Sequence, residues 1–184
     1  MKKTNQLTSM ALIAALCFIA FNYFKIDVHV MGGRTSFHFA NSFVVLGALL
    51  LGGLPGGLAG AVGLTLADLT TGYAHVAPRT FFLKLMIGLI VGLIAHRFGK
   101  INSLHKTSDI LKWSILAGTG GMIFNVIVDP LVGYLFNRFI LGVDANPATI
   151  IATWSAGVTA VNGVITVVMA TLAYMALRKM KFKV

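Results

Sequence analysis

Long apolar runs separated by short polar stretches dominate this chain, and their lengths are those of helices that cross a bilayer. A membrane span needs about 20 apolar residues. No charge lies between Lys3 and Lys25, which predicts a first helix from Asn5 to Phe24. The next stretch, Lys25 to His38, holds Asp27, His29, Gly32-Gly33 and Arg34, and its Lys-Ile-Asp-Val-His-Val segment alternates with period two. Such alternation predicts a short strand or hairpin. From Thr35 to Ala67 the one ionisable residue is His38. That run is too long for a single span, and Gly52-Gly53-Leu54-Pro55-Gly56-Gly57 divides it with turn chemistry. The division predicts helix two over Phe37–Leu51 and helix three over Pro55–Thr71. A polar loop with Tyr73, His75, Pro78 and Arg79 leads to helix four, Thr80–Phe98. Arg97 to Lys112 is basic and polar. Helix five follows over Trp113–Phe136, with a kink expected at Pro130, and helix six over Ala148–Leu177. The pattern predicts an all-α integral membrane protein, a single six-helix domain over residues 1–184.

Composition narrows the class. Of 184 residues 57% are hydrophobic and 11% charged, where a soluble domain carries about 25% charged residues. So few charges cannot cover a water-facing surface, and most of the outer surface must face lipid. The five acids are all Asp, and the net charge is +10. In a soluble protein such a balance would point to nucleic acid. Here the cations sit at the ends of apolar runs, where they anchor helices against anionic headgroups, and no nucleic-acid-binding pattern accompanies them.

The same cations set the topology. Six spans put both termini on one side, with the loop between helices four and five. That side collects Lys2, Lys3, Arg97, Lys100, Lys106, Lys112, Arg178, Lys179, Lys181 and Lys183, ten of the fifteen cations. Cytoplasmic loops carry the excess of Lys and Arg, so both termini are expected in the cytoplasm. Five spans would leave one basic terminus outside. The basic, apolar N-terminus has no Ala-x-Ala cleavage site after it and reads as a retained first span. Cys17 is the single cysteine, which excludes an intramolecular disulfide and a cysteine metal site.

Polar residues at membrane depth are the candidates for chemistry, because each is costly unless paired or solvated. Asp68 near the outer end of helix three and Lys84 near the outer end of helix four lie at similar depth, and a structural ion pair between them is expected. Asn125 and Asp129, four apart on helix five, share one face. An amide and a carboxylate there, beside Pro130, suit a polar ligand. Helix six adds Trp154, near the outer interface, and Asn162, two turns deeper. His38 and His75 sit at outer loop edges within reach of a ligand. The histidine spacing gives no metal site, and there is no phosphate-binding loop, nucleophile elbow or carboxylate dyad. The expectation is therefore neither an enzyme nor a cofactor protein. Small residues recur at helix-packing spacing: Ala11 and Ala15 on helix one, Gly56, Gly60 and Gly63 on helix three, Gly88 and Gly92 on helix four.

Taken together, these residues resemble a known family. Six helices in under 200 residues, a basic cytoplasmic side, Ala11-x-x-x-Ala15 on helix one and Leu66-Ala67-Asp68-Leu69-x-x-Gly72 after a Gly-rich stretch look like the S component of an energy-coupling factor vitamin transporter. The resemblance implies one vitamin or precursor held in an outward-opening pocket lined by helices four to six and the loops after helices one and three. It implies docking through Ala11 and Ala15 onto a transmembrane T component, two cytoplasmic ATPase subunits, and a bacterial plasma membrane. Lys84, Asn125, Asp129, Trp154 and Asn162 fall where the family places ligand contacts. Among members, the chain most resembles those for hydroxymethyl pyrimidine or pyridoxine, with pantothenate as the alternative should Lys84 or Arg79 be free to take a carboxylate. A channel or secondary transporter working alone is the competing class, distinguished by transport without ATPase partners.

Overall fold

The computed structural model describes residues 3–180; Lys2, Lys181 and Lys183 of the basic termini lie outside the described residues. Six α-helices and one β-hairpin dominate the described residues. Helix α1 runs Lys3–Tyr23, strand β1 Lys25–Val30, strand β2 Gly33–His38, α2 Asn41–Leu51, α3 Gly53–Thr70, α4 Ala77–Gly92, α5 Thr107–Leu135 and α6 Ala145–Lys179. Looser π turns, Leu93–Phe98 and Phe136–Ile140, extend α4 and α5.

The alternating segment does form a hairpin. β1 and β2 pair antiparallel from Lys25 opposite His38 to Val30 opposite Gly33. Met31 and Gly32 both take positive φ, 49° and 78°, the two-residue turn whose twist matches paired strands. The hairpin claims Phe37 and His38, so α2 starts at Asn41 rather than at Phe37. The remaining helix has 11 residues, about 16 Å at 1.5 Å per residue. That is half the roughly 30 Å of hydrocarbon.

Other boundaries move for local reasons. Pro78 and Pro147 fall in the first turns of α4 and α6, where a missing N–H costs nothing. Those helices therefore begin before the prolines, not after them. Helix α5 begins at Thr107, six residues before the expected Trp113, with Asp109 in its first turn favouring the helix dipole. It continues through Pro130 without a break.

Among the described residues four segments are long and apolar enough to cross a membrane: Lys3–Tyr23, Ala74–Phe98, Thr107–Ile140 and Ala145–Lys179. Large side chains such as Leu12, Ile127, Val164 and Leu172 are exposed on their outer faces, as lipid-facing residues must be. Short α2 lies in the middle of the bundle, with Val44, Val45, Ala48 and Leu49 fully enclosed.

Glycines set the helix spacing. A Cβ on Gly88 would overlap the Gly57 Cα, and one on Gly92 the Gly53 Cα, so α3 and α4 touch backbone to backbone. A Cβ on Gly56 would overlap the α2 backbone at Gly47 and Ala48, and one on Gly63 the Ala14 carbonyl of α1. Helix α3 is thus gripped on three sides.

Contacts fix which ends lie together. His96 Nε2 is 3.0 Å from the Ala48 carbonyl oxygen, and Arg178 Nη1 and Nη2 donate to the Ile101 and Leu104 carbonyls at 2.7 and 3.1 Å. Lys3, Gln6, Leu54 and Pro55 border one surface pocket. The start of α1, the α2–α3 turn, the α4–α5 loop and the end of α6 therefore share one end. The hairpin caps the other.

Candidate ligand-binding site

Two chambers open at the hairpin end. The inner one, about 730 Å³ including its mouth, is lined by Ser36, His38, Asn41, Asp68, Tyr73, Lys84, Asn125, Asp129, Thr159 and Asn162, with Phe21 and Leu64. The outer one, about 750 Å³, is lined by Val28, Val30, Pro130, Phe136, Leu141, Ile151 and Trp154. Arg34, Thr35, His75, Val76, Arg79 and Ser155 belong to both. The result is one elongated cleft, polar inside and mixed at its mouth, where Trp154 and Phe136 stand among polar side chains.

The inner wall comes from α3 to α6. Lys84 Nζ lies 3.5 Å from Asn125 Oδ1, and both residues are buried. One turn further out, Asp129 Oδ1 pairs with Arg79 Nη2 at 3.5 Å and Asp129 Oδ2 accepts from the Thr159 hydroxyl at 3.4 Å. Gly133 makes the Arg79 reach possible, because a Cβ there would sit 2.8 Å from Arg79 Nη1.

The hairpin forms the roof. Asp27 accepts from Arg34, from the Ser36 hydroxyl at 2.6 Å and from the Tyr73 hydroxyl at 2.8 Å. Arg34 also donates to the Thr71 carbonyl at 3.1 Å, tying the roof to the α3–α4 loop. Lys25 lies over the Phe21 and Tyr73 rings. Partial burial raises the Asp27 carboxyl, but hydrogen bonds from Ser36, Arg34 and Tyr73 outweigh it and hold the group well below the usual carboxylate range. Burial, with Lys84 and Lys25 nearby, lowers the His38 pKa to about 3, so its ring is neutral. That ring packs edge-on against Phe21, and its Nδ1 accepts from the Ala40 N–H at 3.2 Å.

A family model described as "ECF-type riboflavin transporter, S component" matches residues 1–179. The chain belongs to this family. No curated protein and no solved structure matches it. The S component is thus the membrane-embedded, vitamin-specific substrate-binding subunit of an energy-coupling factor importer, and not an enzyme.

Six of the seven residues singled out from sequence, Lys84, Asn125, Asp129, Asn162, His38 and His75, line the inner chamber of this S component. Trp154 lines only the outer one and is half exposed. The expected Asp68–Lys84 ion pair does not form among the described residues: Lys84 turns to Asn125, and the carboxylate that finds a cation is Asp129. The rotation of α4 against α5, which sequence does not encode locally, decides this. Asn162 is largely committed elsewhere. Its Oδ1 accepts from the His38 N–H at 3.0 Å and its Nδ2 donates to the Ser36 carbonyl at 2.9 Å. The side-chain amide takes the place of a neighbouring strand along β2 and pins the hairpin to α6. Asn41, Tyr73, Ser155 and Thr159 were not singled out. Asn41 opens an apolar run, and nothing in its neighbours distinguishes it from a packing residue.

Proposed function

We propose that this S component captures a neutral, hydroxyl-bearing heteroaromatic vitamin, with riboflavin as the first candidate. The carrying observation is the charge balance of the cleft. Each lining cation feels a carboxylate: Arg34 beside Asp27, Arg79 beside Asp129, and Lys84 within the field of Asp129 and Asp68. A carboxylate ligand such as pantothenate would have to draw Arg34 or Arg79 away from its part-buried partner, or approach Lys84, which pairs with neutral Asn125, against the charges of Asp68 and Asp129. A neutral ligand requires neither. The cleft suits riboflavin with its flat ring system towards Trp154, His75 and Phe136 at the mouth and its polar groups towards Lys84 and Asn125 inside. The family description supports the same vitamin. Pyridoxine or hydroxymethyl pyrimidine is the second reading, favoured by an inner chamber that is polar around most of its wall and suits a single ring. The argument for an aminopyrimidine weakens with Asp129 already held by Arg79 and Thr159.

Calorimetric titration of the purified protein with riboflavin, pyridoxine, hydroxymethyl pyrimidine and pantothenate tests this. Riboflavin should bind tightest. Lys84→Met should weaken it by about ten- to a hundredfold, the scale of a hydrogen bond to a charged group. Tightest binding of pantothenate, lost in Lys84→Met, would overturn the choice of a neutral ligand and leave the family assignment standing.

In the complete importer the S component docks onto a transmembrane T component driven by two cytoplasmic ATPase subunits, in a bacterial plasma membrane. The end bearing Arg97, Lys100, Lys106, Lys112, Arg178 and Lys179 is the cytoplasmic one, as the positive-inside rule requires. In a Cys17→Ala background, cysteine at exposed Asn102 should resist an impermeant thiol reagent in intact cells, and cysteine at exposed Asn146 should react. The reverse labelling would invert the topology.

A further inference from the structure

Two residues that line the inner chamber each hold one acceptor atom with no partner among the described residues, although Thr80 stands beside the Asp68 carboxylate. Asn41 opens α2 just below the hairpin, and Asp68 lies in the last turn of α3. Both line the chamber and both are buried, at 2% and 4% exposure. Among the described residues, Asn41 Oδ1 and Asp68 Oδ2 have no hydrogen-bond partner. An orphaned buried acceptor carries its desolvation cost, so each one in a native structure calls for an explanation, and on the wall of a ligand chamber that explanation is a donor on the ligand. The obvious partner for Asp68 was Lys84, and Lys84 has turned to Asn125 instead.

We infer that Asn41 and Asp68 form a hydroxyl-reading subsite that determines which vitamins this S component accepts. This rests on the neutral, hydroxyl-bearing ligand proposed above. The chemistry narrows the group that fits. A carboxylate oxygen and an amide oxygen both demand donors, so a ligand carbonyl or carboxylate would leave both unsatisfied. A ring N–H offers a single donor fixed in the ring plane. Hydroxyls on a flexible arm offer several donors on rotatable bonds. Each such hydroxyl also presents an oxygen to a donor, and Lys84 lines the same chamber. The subsite therefore reads the hydroxylated arm of the vitamin and leaves its ring system to the mouth of the cleft.

Matched probes separate arm from ring. Riboflavin and lumiflavin share the ring system, and lumiflavin lacks the hydroxylated chain; pyridoxine and 4-deoxypyridoxine differ by one hydroxyl. The variants Asp68→Asn and Asn41→Leu remove a charge and an acceptor with little change of shape. Each should weaken the hydroxylated partner of a pair about tenfold or more and leave the hydroxyl-poor partner within about twofold. Ligand-free melting temperature, measured alongside, should stay close to that of the unmodified protein, which separates lost recognition from lost folding. Equal losses for both members of a pair, unchanged riboflavin and pyridoxine binding, or a fall in ligand-free stability that accounts for the loss would overturn the subsite. If the unmodified protein binds neither riboflavin nor pyridoxine, the ligand proposal itself fails and the subsite with it.

Discussion

Tryptophan at both Ala11 and Ala15 should abolish vitamin uptake and co-purification of the T component while leaving ligand binding intact. Helix α1 has two small faces with different duties. Ile13, Cys17, Ala20 and Phe21 are buried against the bundle, and the Ala14 carbonyl packs directly on Gly63. Ala11 and Ala15 lie on the other side and are exposed. An exposed small-xxx-small pair lets a second helix approach closely, which is where association energy in lipid comes from. Two indole rings there would hold a partner helix several ångströms away but face only lipid in the isolated subunit. Loss of uptake by about a hundredfold or more corresponds to ~2.7 kcal/mol of association energy, within reach of one ruined helix interface. Ala14→Trp is the contrasting variant: it strikes Gly63 and should unfold the subunit instead. Normal assembly of the Ala11→Trp, Ala15→Trp protein would remove this face from the docking surface.

Leucine at Gly88 should prevent the folded protein from accumulating, and alanine at Gly157 should go unnoticed. A side chain at Gly88 meets the Gly57 backbone, not the flexible end of another side chain. Overpacking usually costs about 1–3 kcal/mol through shifted rotamers. Here no rotamer can yield, and α3 cannot retreat because α1 and α2 hold it at Gly63 and Gly56. The cost should exceed about 3 kcal/mol, a large fraction of a marginal stability. At Gly157 a Cβ meets nothing within 4 Å, and alanine favours a helix over glycine by about 1 kcal/mol. Size-exclusion profiles and thermal melts in detergent distinguish the two. A monodisperse Gly88→Leu protein with an unchanged melting temperature would show that α3 and α4 are not locked.

The run lengths, charge depletion and one period-two segment were enough to place six helices and a hairpin, because each is a local consequence of hydropathy and backbone geometry. The shared face of Asn125 and Asp129 was equally legible, since both line the inner chamber as four-residue spacing on one helix requires. Membership of the S-component family rested on motifs that sequence displays openly. What sequence left open was the partner of each polar residue. Lys84 was expected to pair with Asp68 at similar depth, and in the folded bundle it lies against Asn125 instead. Arg79 reached Asp129 because Gly133, a turn beyond it on the same helix, leaves room. Asn162 became a clamp for β2, some 125 residues away in sequence, and one acceptor atom each of Asn41 and Asp68 was left without a partner among the described residues. Pairing at membrane depth depends on helix rotation and separation to within an ångström or two. Those are properties of backbone contacts between distant glycines, and no periodicity within a single helix records them.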